Sequence, residues 1–144
     1  MTLKRTLIGT LAFAALAASS FGAAAETAKE KALGAGARQL TSDQIAERFI
    51  GTTGTWVSPS GTKKVRIYYG RNNDLHGKLV GGNWSGTGYY GVANDDSICI
   101  SWAGKDKGRL RCLEVLIDDG VVKKFNADGS LNGSYKKLEM GKAF

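Results

Sequence analysis

The chain has 144 residues, of which 20 are lysine or arginine and 13 are aspartate or glutamate, for a formal net charge of +7. This length predicts one small domain. The longest apolar run, residues 7–18, is shorter than the ~20 residues that a membrane-spanning helix needs, so the sequence predicts a protein that does not span the membrane.

The first 25 residues have the composition of a secretory signal peptide. Lys4 and Arg5 precede the apolar run, and three alanines end at Ala25, directly before Glu26. The predicted location is therefore periplasmic or secreted. Removal of residues 1–25 leaves 119 residues and lowers the net charge from +7 to +5, because Lys4 and Arg5 are lost. Export also argues against nucleic acid as a partner.

Residues 26–39 are predicted to form a flexible leader ahead of a single domain at 40–144. Leu33 is the one large apolar side chain of this segment, and a run of glycine and alanine follows it at residues 34–37. A helix is predicted directly afterwards: Thr41 is an N-cap residue, Gln44 is its capping-box partner, and the helix ends at Gly51.

After Gly51 the pattern changes to short β runs separated by turn residues. The predicted strands are residues 53–58, 63–69, 75–80, 84–92, 97–102, 109–117, 121–125 and 130–138. Every connection is too short for a crossover helix, which excludes a parallel sheet. The predicted fold is mainly β: a small antiparallel up-and-down barrel, or a strongly coiled sheet, of about eight strands with one short N-terminal helix at one end.

The two cysteines lie in a predicted hairpin with its turn at residues 103–108. If the hairpin is centred between Lys105 and Asp106, Cys99 lies opposite Cys112, and an exported protein would join them in a disulfide. The same register places Trp102 opposite Arg109, where the guanidinium can lie on the indole.

Several motifs together resemble a known group of proteins. They are Leu-Thr-x-x-Gln-Ile, Gly-Thr-Trp, Gly-x-Trp-x-Gly-x-Gly-Tyr, Ile-Cys-Ile-x-Trp, Arg-x-Arg-Cys and Asn-x-Asp-Gly. Over residues 40–138 the chain resembles small exported bacterial proteins classed as a domain-of-unknown-function family, with a barrel of calycin or lipocalin form. The resemblance implies a fold and an exported location, and it carries no activity to any residue.

No catalytic residue, metal site or cofactor is predicted. His76 is the single histidine, and neither a catalytic triad nor a zinc site has partners for it. The loop at 126–132 begins like a calcium loop but has Lys137 where the closing glutamate should stand. The carboxylates available for glycosidase chemistry are Asp95, Asp96, Asp118, Asp119 and Glu114. Turn-forming and solvated roles account for these carboxylates more simply.

The aromatic residues are numerous, and several alternate with basic ones. The predicted ligand-binding set is Trp84, Tyr89, Trp102, Arg109 and Arg111. It suggests a non-enzymatic binding protein for an anionic or amphipathic envelope ligand, such as an anionic lipid, lipopolysaccharide or a polysaccharide. The same aromatics could instead fill a core and cover glycines.

Two other functional classes stay open. One is a protein-interaction module, an enzyme inhibitor or envelope assembly factor, that presents the charged loop 104–108 to an envelope protein. The other is an enzyme that uses carboxylates alone.

Overall fold

The computed structural model describes residues 24–144, so residues 1–23 of the predicted signal peptide lie outside it. Two helices and nine strands follow one another along this part of the chain. They are α1 (Ala28–Gly34), β1 (Arg38–Gln39), α2 (Ser42–Phe49), β2 (Thr52–Val57), β3 (Lys64–Tyr69), β4 (Asp74–Leu79), β5 (Ser85–Ala93), β6 (Ser97–Trp102), β7 (Arg111–Asp118), β8 (Val121–Phe125) and β9 (Leu131–Met140).

Strands β2 to β9 form a closed antiparallel barrel. Each pairs with the next in the sequence, and β9 returns to pair with β2. The predicted mainly β fold with about eight barrel strands is confirmed, and the structure has two short helices where the sequence suggested one. Closure leaves these eight strands without an unpaired edge, which removes a route to aggregation.

The barrel interior follows from the two-residue period of its strands. On β3, Ile67 and Tyr69 are buried whereas Lys64 and Arg66 are exposed. Successive side chains of a strand point to opposite faces, so alternation of apolar and basic residues assigns the inner and outer faces. The outer face is accordingly rich in lysine and arginine.

Helix α2 closes one end of the barrel, as the sequence predicted. Thr41 caps the helix and forms a capping box with Gln44. Ile45 and Phe49 are fully buried, and the ring of Phe49 packs edge-on against Tyr69 at 4.9 Å between centroids. The last turn of α2 therefore forms part of the barrel core.

The segment predicted as a flexible leader contains α1 and β1. Helix α1 begins at a capping box of Thr27 and Glu30, and its Ala32 packs beside Leu116 and Phe125 on the outside of the barrel. Strand β1 pairs with the second half of β7. The alanines of this segment bury little apolar area of their own, but they cover two large side chains that lie far away in the sequence. The composition of residues 26–39 indicated a flexible leader because the large apolar residues that this segment covers lie elsewhere in the sequence.

The predicted disulfide register is confirmed. Cys99 lies opposite Cys112, and the two are bonded. A disulfide is typical of proteins that fold in an oxidising compartment. The predicted pairing of Trp102 with Arg109 is wrong, because the β6–β7 ladder ends at Ile100 and Arg111 and the chain then leaves the sheet through a 3₁₀ turn at Asp106–Gly108.

None of the helices within residues 24–144 is long and apolar enough to cross a membrane.

Candidate functional site

A cavity of about 650 Å³ occupies the barrel on the side away from α2. This volume is within the range of ligand pockets, roughly 300–1,000 Å³. Its walls are apolar or aromatic side chains from β2, β3, β4, β6 and β7, together with Trp84 ahead of β5. They are Trp56, Val65, Ile67, Leu79, Trp84, Ile100, Trp102 and Leu113.

The floor of the cavity follows from strand register. On each of four strands, one inward-facing side chain lines the cavity. The inward-facing side chain two residues away on the same strand lies in the packed core. These pairs are Ile67 and Tyr69, Ile100 and Ile98, Leu113 and Val115, and Lys124 and Val122. The core beyond the floor includes Phe49 of α2. The cavity therefore ends blindly inside the barrel.

Two tryptophans and two glycines shape one wall of the cavity. Trp84 and Trp102 pack edge to face with 5.7 Å between their centroids. Gly77 and Gly86 face each other on β4 and β5. A Cβ on Gly77 would lie 2.7 Å from Trp102, and one on Gly86 would lie 2.6 Å from Trp84. The two glycines thus leave room for the two indoles.

The mouth of the cavity is cationic. Lys63, Lys105, Arg109 and Arg111 line it beside a single acidic residue, Asp106. Asp106 accepts a hydrogen bond from Arg111 at 2.5 Å, whereas the other three cations form no ion pair within residues 24–144. The Lys105 ammonium lies 5.8 Å from the ring centroid of Trp84. Three unneutralised cations therefore surround the entrance.

Lys124, at the floor, is not among the ligand-binding residues predicted from the sequence. It and its neighbour Lys123 lie on opposite faces of β8. Only Lys123 points outward, where it pairs with Asp118 at 2.6 Å, while Lys124 is 2% exposed. The run of two valines and two lysines at residues 121–124 has no alternation of apolar and polar residues that would mark Lys124 as inward-facing.

The Lys124 ammonium meets two tyrosines. Its Nζ donates a hydrogen bond to the Tyr69 hydroxyl at 3.1 Å and lies 5.1 Å from the ring centroid of Tyr135. The two tyrosine hydroxyls are 2.6 Å apart. Burial lowers the pKa of Lys124 to about 7 and raises the pKa of Tyr69 and of Tyr135, because desolvation disfavours each charged form.

Four of the five predicted ligand-binding residues come together at this cavity. Trp84, Trp102, Arg109 and Arg111 all line it. Tyr89 does not, because β5 turns Tyr90 inward and Tyr89 outward, where it is 71% exposed. Trp84 is 37% exposed, so its indole is available at the mouth.

Four of the carboxylates considered for catalysis, Asp95, Asp96, Asp118 and Glu114, have hydrogen-bond or ion-pair partners in the fold. Asp96 accepts hydrogen bonds from the backbone and hydroxyl of Ser42 at the start of α2, and Glu114 pairs with Lys29 of α1 at 2.6 Å. His76 is hydrogen-bonded to Asp74 at 2.7 Å. In the part of the chain that the structure describes, no three histidine, cysteine, aspartate or glutamate residues form a group that could hold a metal ion.

A scan against protein-family models, a search of the curated proteins and a search of the solved structures each find no match for this chain.

Proposed function

We propose that this chain is a non-enzymatic periplasmic or secreted protein that binds an anionic, amphipathic molecule of the cell envelope in its barrel cavity. The single observation that supports this most directly is a blind cavity with apolar, tryptophan-rich walls and a cationic mouth. Apolar walls favour the apolar part of a ligand, and the mouth favours a negative charge.

The protein has two basic surfaces, the mouth of the cavity and the outer face of the barrel, and only the first adjoins the apolar walls. Basic residues also cover the outer face, for example the exposed Lys64 and Arg66 on β3. An anion attracted only by overall charge would not distinguish these two surfaces. A ligand of the cavity would depend on the cations of the mouth and would also change the environment of the indoles.

The test is a titration of the full chain with lipopolysaccharide and with vesicles of anionic or neutral phospholipid. Tryptophan fluorescence is recorded at each step of the titration. Anionic ligands should shift the emission, and added salt should weaken binding because it screens charge. The variant Arg109→Gln/Arg111→Gln should bind at least about threefold more weakly, which corresponds to a fraction of a kcal/mol per screened charge pair.

The matched control is Lys64→Gln/Arg66→Gln, which removes the same charge from the outer face. Equal loss in both variants would contradict a cavity ligand and indicate non-specific attraction. An unchanged emission spectrum with every anionic ligand would contradict the proposal as a whole.

A second candidate is a protein-interaction module that uses the loop between β6 and β7. Leu110 in this loop is 63% exposed and follows four charged residues, Lys105, Asp106, Lys107 and Arg109. An exposed apolar side chain within a charged surface suits recognition of another protein. Recovery of one envelope protein by the wild type but not by Leu110→Ser, with no fluorescence response to lipids, would favour this candidate.

A further inference from the structure

The floor of the cavity holds a buried cation without a counter-ion. Lys124 is 2% exposed, and within residues 24–144 no carboxylate lies within ion-pair distance of its ammonium. An ammonium has three donors, and one of them is used, by the Tyr69 hydroxyl. Buried charges are normally paired, because an unpaired one loses its solvation without compensation.

We propose that Lys124 is an anion subsite that receives the carboxylate of a long-chain amphiphile entering the barrel head first. This inference rests on the proposed function of the cavity and adds the orientation and head group of the ligand. A carboxylate at the floor would supply the missing acceptor for the ammonium. The Tyr69 hydroxyl lies 3.1 Å from this ammonium and 2.6 Å from the hydroxyl of Tyr135.

The single positive charge of Lys124 at the floor favours a ligand with one carboxylate. The floor offers one cation, whereas a phosphate dianion is normally held by several cations or a bidentate arginine. Above the floor, the inward side chains are apolar, including Ile67, Ile100 and Leu113. These side chains match an alkyl chain directly behind the head group.

The mouth has a different role in this orientation. Lys63, Lys105 and Arg109 attract the anion from solution, and Lys124 holds it after it has passed the tryptophans. Charges at a rim act mainly on the rate of association and on its salt dependence, whereas a desolvated charge pair acts on dissociation. The two cationic sites can therefore be separated by experiment.

Proton linkage gives a second signature. Two titratable groups contact Lys124, Tyr69 from β3 and Tyr135 from β9, and Tyr90 from β5 packs against Tyr69 with 5.1 Å between centroids. Arg111 of β7 lies at the mouth, while β2, β4 and β6 contribute apolar residues. All three tyrosines stay neutral near pH 8, since burial raises the pKa of each. An anion beside Lys124 raises the pKa of the ammonium above about 7, so binding at pH 8 takes up a proton.

The experiment measures binding of dodecanoate, dodecan-1-ol and dodecylamine to the full chain at pH 6.5 and pH 8 by calorimetry, in buffers of different ionisation enthalpy. The wild type should prefer dodecanoate to the alcohol by about tenfold or more, the range of a charge-assisted hydrogen bond. It should also take up protons when it binds dodecanoate at pH 8, because the bound anion raises the pKa of Lys124.

The variant Lys124→Met should lose the preference for dodecanoate and the proton uptake while it still binds the alcohol. Lys123→Met is the matched control, because its side chain is adjacent but outside the barrel, and it should behave as the wild type. The preference of the wild type for dodecanoate over the alcohol tests the proposal even if Lys124→Met does not fold.

Two results would overturn the subsite. One is wild-type binding of dodecanoate that is no tighter than its binding of dodecan-1-ol. The other is an unchanged acid preference in Lys124→Met with a lost preference in Arg109→Gln/Arg111→Gln, which would place the carboxylate at the mouth and leave the proposed function standing. Failure of all three probes and of the envelope lipids would instead overturn the proposed function.

Discussion

At the scale of single residues, the position of Lys124 makes stability depend on pH. The unfolded chain keeps this lysine protonated up to about pH 10.4, whereas the folded chain releases the proton near pH 7. Between these values the unfolded state binds more protons, so stability rises with pH.

The free energy of unfolding of the wild type should therefore increase from pH 7 to pH 9, with a slope approaching about 1.4 kcal/mol per pH unit from this residue. Lys124→Met should lack this increase, and Lys123→Met should keep it. Urea denaturation at each pH measures the effect. Parallel profiles for the wild type and Lys124→Met would contradict it. The tyrosines do not interfere, because their raised pKa values reduce stability only as the pH passes 10.

Gly77 offers a second prediction at the same scale. A side chain at this position would collide with Trp102, since its Cβ alone would lie 2.7 Å from the indole. Gly77→Val should cost about 1–3 kcal/mol of stability through overpacking, change the tryptophan emission and weaken ligands of the cavity. Gly91→Val is the control, because a Cβ on Gly91 meets nothing within 4 Å. Equal stability and emission in both variants would show that the wall tolerates a side chain.

At the scale of elements, the disulfide joins β6 and β7 where both strands contribute to the cavity. The two cysteines are 13 residues apart, and closure of a loop of this length is worth about 3 kcal/mol in the chain-entropy model. Cys99→Ala/Cys112→Ala should lower the free energy of unfolding by about that amount, and reduction of the wild type should reproduce the loss. Denaturant unfolding measures both, and an unchanged midpoint would contradict the prediction.

The elements also differ in how well the sequence predicts them. Helix α2 was predictable because its capping box and buried face lie within nine residues, from Thr41 to Phe49. Helix α1 has an equally good capping box at Thr27, but the reason for its docking is the outward-facing pair Leu116 and Phe125. A pattern within residues 26–39 carries no information about that distant pair.

At the scale of the whole molecule, the barrel could be predicted from alternation and turn spacing, because sequential hairpins fix their own neighbours. Four of the five predicted ligand residues meet at one cavity for the same reason, since they lie at one end of the three consecutive strands β5, β6 and β7 or in the loops beside that end. Tyr89 and Lys124 show where this reasoning stops. Both depend on which face of a strand turns inward, and neighbouring aromatic or basic residues, as in Tyr89-Tyr90 and Lys123-Lys124, conceal that alternation.

Helix α2 and the packed core close one end of the barrel, and the cavity opens at the other end. Whatever part of a guest goes in first is the last to come out, and a guest longer than the cavity leaves its trailing end in the solvent. That end would be within reach of a third molecule while the rest is still held. Transfer to an acceptor could then begin before the guest is released, with no change in the shape of the barrel.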